Sequence, residues 1–187
     1  MNRFMLPAGL LVLSLLYCAA GFNFGLLTYD EGLNVYGALR VTQGDVPYRD
    51  FWSLYPPGGF YILAGLYKIF GTSLIVGRFW HMIVSSLLAV TVFTLARRVS
   101  SDRTALITWL FALVWIDSFR FPSSPLPVAL LFAMLSVILV LRYLNKRRAA
   151  VLVPAGVAVA LATLFRHDLG FYTFVAEMAV LTPFAWR

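Results

Sequence analysis

Charge is what this chain has least of: charged side chains make up 12% of its 187 residues, about half the share of a soluble domain. That shortage excludes an ordinary water-soluble globule. Histidine is nearly absent, with two residues, and there is a single cysteine. Without a His/Cys cluster, and with acids widely scattered, metal binding has no support in the sequence. A lone Cys18 also rules out an internal disulfide framework, so cysteine usage does not report a compartment. No phosphate-cradling glycine loop and no serine nucleophile elbow occur, which removes nucleotide-dependent and triad-hydrolase chemistry. There is no internal repeat, and no low-complexity segment beyond apolar bias.

What fills the space is hydrocarbon: 61% of the side chains are hydrophobic, the composition of a multi-span membrane protein. The net charge of +7 does not point to nucleic acid, because the basic residues sit in short runs between apolar segments and no basic aromatic platform lies outside them. Such runs suit the anionic cytoplasmic leaflet of a membrane. The fold class expected is an all-α polytopic helix bundle, a single transmembrane domain over 1–187 with about six spans at roughly 20 residues each. Two further short surface helices belong to the first outer loop, 28–73.

Residues 4 to 29 carry no charge, 26 positions in all, and form the first span; a cleaved signal peptide is the rival reading. Thr28-x-x-Glu31 is a capping-box pattern, followed by Leu33, Tyr36 and Leu39 at helical spacing and by Gly44 as a stop. A short helix lying along the membrane surface is expected there. Residues 45 to 52 are loop-like, with aromatic rings suited to the bilayer interface. Tyr55-Pro56-Pro57-Gly58-Gly59 then breaks the chain before a second short apolar helix over 60 to 70, closed by Gly71. Thr72-Ser73 caps the second span, about 74 to 96. The third span has 13 uncharged residues, 104 to 116, about 20 Å of a core about 30 Å thick, so Asp117 is expected below the far interface. A fourth span reaches to about 144, a fifth covers 149 to 165 with small residues that favour close packing, and a sixth begins at Leu169. Nine of the fifteen basic residues (Arg3, Arg97, Arg98, Arg103, Arg142, Lys146, Arg147, Arg148, Arg187) fall on one side, which predicts a cytoplasmic N-terminus and an outward 28–59 loop.

That topology gathers Asp30, Glu31, Asp50, Asp117 and Asp168 near one face, together with Arg78, Arg120, Arg166 and His167. Ionisable groups in or beside spans are costly and face cavities or one another, so their gathering points to function. One carboxylate could deprotonate a hydroxyl while cations hold a phosphate. Each also has a structural reading: Asp30 and Glu31 as helix caps, Arg166 and Asp168 as an ion pair closing a turn, His81 as a packed side chain, Asp102 as a cap and Glu177 as a partner of a neighbouring helix.

A first span ending in Tyr-Asp-Glu-Gly, then Val-Pro-Tyr-Arg-Asp-Phe-Trp, Tyr-Pro-Pro-Gly, a short helix and an arginine-marked span resemble the integral-membrane C-type glycosyltransferases. The likeness is nearest to their protein O-mannosyltransferase and lipid A aminoarabinose-transferase branch. Residues 165 to 170, Phe-Arg-His-Asp-Leu-Gly, form a second matching patch. The resemblance implies inverting transfer of a sugar from a polyprenyl-phosphate-linked donor to a hydroxyl of a glycan, lipid or protein acceptor. Asp30 would be the general base and Glu31 its partner; Arg166, Arg78 and Arg120 would hold the donor phosphate; Asp50, Asp117, His167 and Asp168 would orient substrate. No metal ligand and no cofactor beyond the lipid-linked sugar is implied with certainty, and membrane lipid is the expected surrounding partner. A bacterial inner membrane, with a periplasmic or extracellular active face, is the implied location. Family members run longer, with further spans and often a soluble outer domain, so the sequence is expected to be an N-terminal fragment, a minimal form or an accessory module. The alternative function is a non-catalytic module, flippase-like or accessory, that binds lipid phosphate or scaffolds a larger enzyme.

Overall fold

The computed structural model describes residues 5–20, 30–118 and 124–185, the side chains of Asp30, Asp117, Ser118 and Ala185 lying outside that description. Among the described residues there is no β-strand, and eight α-helices carry the fold: α1 Met5–Ala20, α2 Asp30–Thr42, α3 Gly58–Phe70, α4 Leu74–Val99, α5 Asp102–Ser118, α6 Leu126–Lys146, α7 Leu152–Phe165 and α8 His167–Ala185. A 3-10 turn over Ala149–Val151 leads into α7.

Local chemistry accounts for most of the boundaries. Ser73 accepts a hydrogen bond from the Ile75 N–H, satisfying one of the orphan donors of the first turn of α4. Gly44 and Gly71 follow α2 and α3 with φ of +102° and +86°, a backbone region that glycine enters without steric cost. Arg97 and Asp102 pair across the α4–α5 turn, Nε to Oδ1 at 2.7 Å. Two short helices, α2 and α3, form where the sequence predicts short helices between the first and second expected spans. The sixth helix of the expected series starts earlier than Leu169: α8 opens at His167, which leaves Arg166 alone between α7 and α8. An apolar count misses this because the first turn of α8 is polar.

α4 is the central post. On one side it meets α6 and α7 through Val84, Leu88, Val128, Ala129, Leu131 and Phe165. On the other it meets α1 and α5 through Leu10, Phe93 and Ala105 in one cluster and Cys18, Met82, Ala89 and Leu113 in another. Small and hydroxylic residues at these seams let backbones approach. Ser85, Ser86 and Ser136 are buried, and Ser136 donates to the Ala155 carbonyl of α7 at 3.0 Å. Trp109 of α5 donates its indole N–H to Ser14 of α1 at 3.1 Å. The small residues of α7 that pack inward are Ala155, Ala158 and Ala162; Gly156 faces out, with nothing near the place of a Cβ.

α4 and α6 are each long and apolar enough to cross a membrane, while α1, α3 and the Ala149–Phe165 segment are shorter apolar helices. Much of the outer surface is apolar: Val12, Leu16, Phe111, Phe171 and Phe174 are all more than half exposed. Lipid tails, not water, suit such a surface.

Candidate functional site

α2 turns a mixed face inward: Ala38 is buried and Val35, Leu39 and Val41 pack with it against Leu63, Ala64 and Tyr67 of α3, with two polar side chains alongside. Glu31 and Asn34 are buried, both 2% exposed, while Leu33 and Tyr36 on the opposite stripe are 44% and 58% exposed. An apolar stripe turned away from the protein fits a helix lying against lipid. The buried carboxylate is met by Arg78 of α4. The guanidinium grips it with two parallel bonds, Nε to Oε1 at 3.0 Å and Nη2 to Oε2 at 3.1 Å. This fork geometry is the strong form of the ion pair. It is also one whose loss is costly, because either partner left alone would be a desolvated charge. Tyr67 of α3 stands near the same carboxylate with a buried hydroxyl that has no hydrogen-bond partner among the described residues. Burial first, and the Glu31 charge second, push its phenol up to about 12, so it stays a neutral O–H.

A second charged group forms where α7 gives way to α8. Arg166 leaves the helix in an extended conformation, φ −150° and ψ 104°, while its N–H still donates to the Ala162 carbonyl. That break turns the side chain onto Asp168 in the first turn of α8, with Nε to Oδ1 at 3.0 Å and Nη2 to Oδ2 at 2.6 Å. Both side chains remain about a third exposed, 34% and 38%. They line a cavity of about 370 Å³ with His167 and with Leu54, Tyr55 and Pro56 from the loop before α3. Hydrogen bonding to Asp168 raises the Arg166 pKa, against a smaller opposing effect of burial, so the guanidinium is permanently cationic.

The loop half of this cavity is fixed from several sides. Tyr48, at φ +67°, donates its hydroxyl to the Tyr55 carbonyl at 2.6 Å. Arg40 reaches from α2 to the Asp50 carbonyl at 3.2 Å and lies over the Phe51 ring, 5.1 Å from its centroid. Gly58 begins α3 against α7 so closely that a Cβ there would sit 2.7 Å from the Leu164 carbonyl oxygen. Gly59, one residue on, neighbours Asn34 and Pro125. The inward face of α2, the start of α3, the start of α6 and the α7–α8 turn therefore share one end of the bundle. The opposite end is marked by Arg147 over the Phe184 ring at 4.9 Å.

The expected site residues are distributed as follows. Glu31 and Arg78 come together, bound to each other; Arg166, His167 and Asp168 come together around the cavity. Asp50 accepts from the Val46 N–H at 2.7 Å and from Arg49, and so is occupied inside its own loop. Asp30 opens α2 one residue before Glu31, and Asp117 lies in the last turn of α5; the side chains of both are outside the described residues, as is the whole of Arg120. His81 of α4 lies instead by a small pocket of about 30 Å³ with Trp115, Ser124 and Leu130. Sequence reasoning named neither Tyr55 as a wall of the Arg166 cavity nor Asn34 and Tyr67 as neighbours of Glu31. The Tyr-Pro-Pro-Gly break was the available signal for Tyr55 and the i,i+3 spacing on α2 the signal for Asn34, whereas Tyr67 depends on helix packing. Among the described residues no three His, Cys, Asp or Glu side chains gather as a metal site.

Comparison with known proteins gives one family: residues 55–187 match the model of the dolichyl-phosphate-mannose-protein mannosyltransferases. An uncharacterised protein of Aquifex aeolicus (strain VF5) is 31% identical over 120 residues, covering 62% of this chain and 24% of that protein. The chain thus matches about a quarter of the relative's length. No solved structure matches.

Proposed function

Because the chain belongs to the dolichyl-phosphate-mannose-protein mannosyltransferase family, we propose that it forms the donor-handling part of a C-type membrane glycosyltransferase. The donor is a sugar, mannose in the members that give the family its description, linked to a polyprenyl phosphate; the acceptor is a hydroxyl of a glycan, lipid or protein. The observation that carries this reading is the cavity of about 370 Å³ in which Arg166 and His167 face Tyr55, at the end of the bundle where α2 turns Glu31 and Asn34 inward. A lipid phosphate needs such a cationic recess at the rim of an apolar body.

In the proposed reaction Asp30 takes the proton of the acceptor hydroxyl as its oxygen attacks the anomeric carbon. The bond from that carbon to the phosphate oxygen breaks in the same displacement, with inversion, and polyprenyl phosphate leaves with its charge offset by Arg166 and, beyond the described residues, Arg120. Glu31 holds the start of α2 in place through Arg78, and so serves Asp30 by position. Asp50, Asp117, His167 and Asp168 are assigned to orienting the substrates. About six helices span the membrane in this reading, at roughly 20 residues each, in a bacterial inner membrane with the N-terminus cytoplasmic and the cavity on the outer face.

The test is sugar transfer in membrane vesicles carrying the protein, with a radiolabelled polyprenyl-phosphate-linked mannose. Asp30→Asn is expected to lower transfer by at least about 100-fold while the protein stays inserted; full activity of that variant would remove the assigned base. The non-catalytic alternative, a lipid-phosphate-binding or scaffolding module, is favoured by one observation: Arg166, the cation that would hold a phosphate, itself lines the cavity. It predicts that polyprenyl phosphate binds, that no transfer occurs even in the unaltered protein, and that Arg166→Ala abolishes the binding.

A further inference from the structure

Away from the Arg166 cavity, α6 and α8 form the walls of a second recess, about 380 Å³ in volume. Its walls repeat one pattern. Val137, Leu141 and Leu144 stand on α6 and Thr173, Glu177 and Val180 on α8, each set at i, i+4 and i+7, so two parallel ridges flank an open groove. Ridges at this spacing are what a third helix packs between. Glu177 is the anomaly in this apolar setting: its Oε1 is shielded from the surface and has no hydrogen-bond partner among the described residues. Its polar neighbour is Ser136 of α6, whose one hydroxyl proton is shared between the Glu177 side chain and the Ala155 carbonyl, 3.0 Å away. The serine therefore meets at most part of the carboxylate and leaves Oε1 bare, while the Thr173 hydroxyl is committed to the Leu169 carbonyl at 2.7 Å.

A lipid chain could fill the groove but has no donor to offer. A polar atom left bare in hydrocarbon is costly, and helix partners are where membrane proteins find its satisfaction. We propose that the α6–α8 groove is the seat of another transmembrane helix, one that carries a basic or amide side chain at mid-depth and donates from it to Glu177. The specificity is chemical: the ridges accept any helix of suitable width, and the acid selects the one with a donor. This interface is independent of sugar transfer and does not use the Arg166 cavity.

The test uses the chain in lipid vesicles with synthetic transmembrane peptides of polyleucine, one carrying a central Asn, one a central Lys, and one neither. Association is read by energy transfer from a fluorophore on a cysteine placed at Val153 on α7, in a Cys18→Ser background. The Asn and Lys peptides are expected to associate about tenfold more tightly than the all-leucine peptide, the gain of one interhelical hydrogen bond. Glu177→Leu should erase that difference, and Glu177→Gln should keep the preference for Asn. Val140→Trp, which leaves the acid intact and narrows the groove, should weaken all three peptides. Equal binding of the three to the unaltered chain, or a difference that survives Glu177→Leu, would overturn the proposal, as would Glu177-dependent self-association of the chain that excludes every peptide.

Discussion

The Glu31–Arg78 and Arg166–Asp168 pairs are built alike and placed in opposite surroundings. Each is an arginine fork on a carboxylate with bonds near 3 Å. The first joins residues 47 apart in sequence on two helices and is nearly sealed, with side chains 2% and 16% exposed; the second spans two residues at a turn and stays about a third exposed. Sealing converts the first pair into a clamp that fixes α2 to α4. Exposure leaves the second pair able to exchange partners. A phosphate arriving in the cavity can replace Asp168 on the guanidinium with little change in solvation, which Arg78 could not offer.

The largest effect should come from breaking the clamp on one side. Glu31→Leu strands a guanidinium between helices, and Arg78→Leu strands a carboxylate; each is expected to lower stability by about 3–5 kcal/mol, read as unfolding in detergent. Removing both charges together in Glu31→Leu/Arg78→Leu should restore most of the loss, because the penalty lies in the unpaired charge. A double variant as unstable as the sum of the two singles would mean that the pair is not a closed unit, and the contrast with Arg166 would lose its basis.

The exposed pair should behave the other way round. Arg166→Ala is expected to change stability by no more than about 1 kcal/mol, as at other solvent-screened pairs. Binding of polyprenyl phosphate should nonetheless fall by about tenfold or more, the loss of one charge-assisted fork. Arg166→Lys should recover part of it, since a lysine supplies the charge without the two-pronged geometry. If Arg166→Ala unfolded the protein as readily as Glu31→Leu, the turn would be a second clamp and not a binding group.

The two pairs also differ in how far they could be read in advance. The Arg166–Asp168 contact follows from adjacency at a helix break, and its structural reading as an ion pair closing the turn was open to inspection. Glu31 was legible as part of a capping box and as a site acid, yet its burial and its partner were not, because both depend on how α2 lies across α3 and α4. The same reasoning separates the helix ends from the helix faces. Gly44, Gly71 and Ser73 act through their own backbone or the next turn, so spacing reveals them. The inward turn of Glu31 and Asn34 on α2 is a property of what surrounds the helix; hydrophobic periodicity gives the stripe but not which solvent it meets.

The smallest expected effect sharpens the comparison with a third arginine–carboxylate contact, Arg49–Asp50, which sits in the loop below the Arg166 cavity. Hydrogen bonding from Arg49, and after it from the Val46 N–H, lowers the Asp50 pKa from 3.8 to about 2. Because the folded value lies below the ordinary one, the contribution of Asp50 to loop order is complete above pH 4, roughly the ordinary carboxylate range, and is lost as pH falls through about 2. Hydrogen exchange at the Val46 amide should therefore be slowed at pH 4 and lose that protection near pH 2, whereas Asp50→Ala should lack it at both. Salt distinguishes the two causes. Screening weakens the contact with the exposed guanidinium while leaving the Val46 hydrogen bond in place, so raising ionic strength should move the acid transition part of the way back toward 3.8. A transition that salt does not move would assign the shift to the backbone donor alone, and the loop would then owe its order to the Asp50 turn and not to a third ion pair.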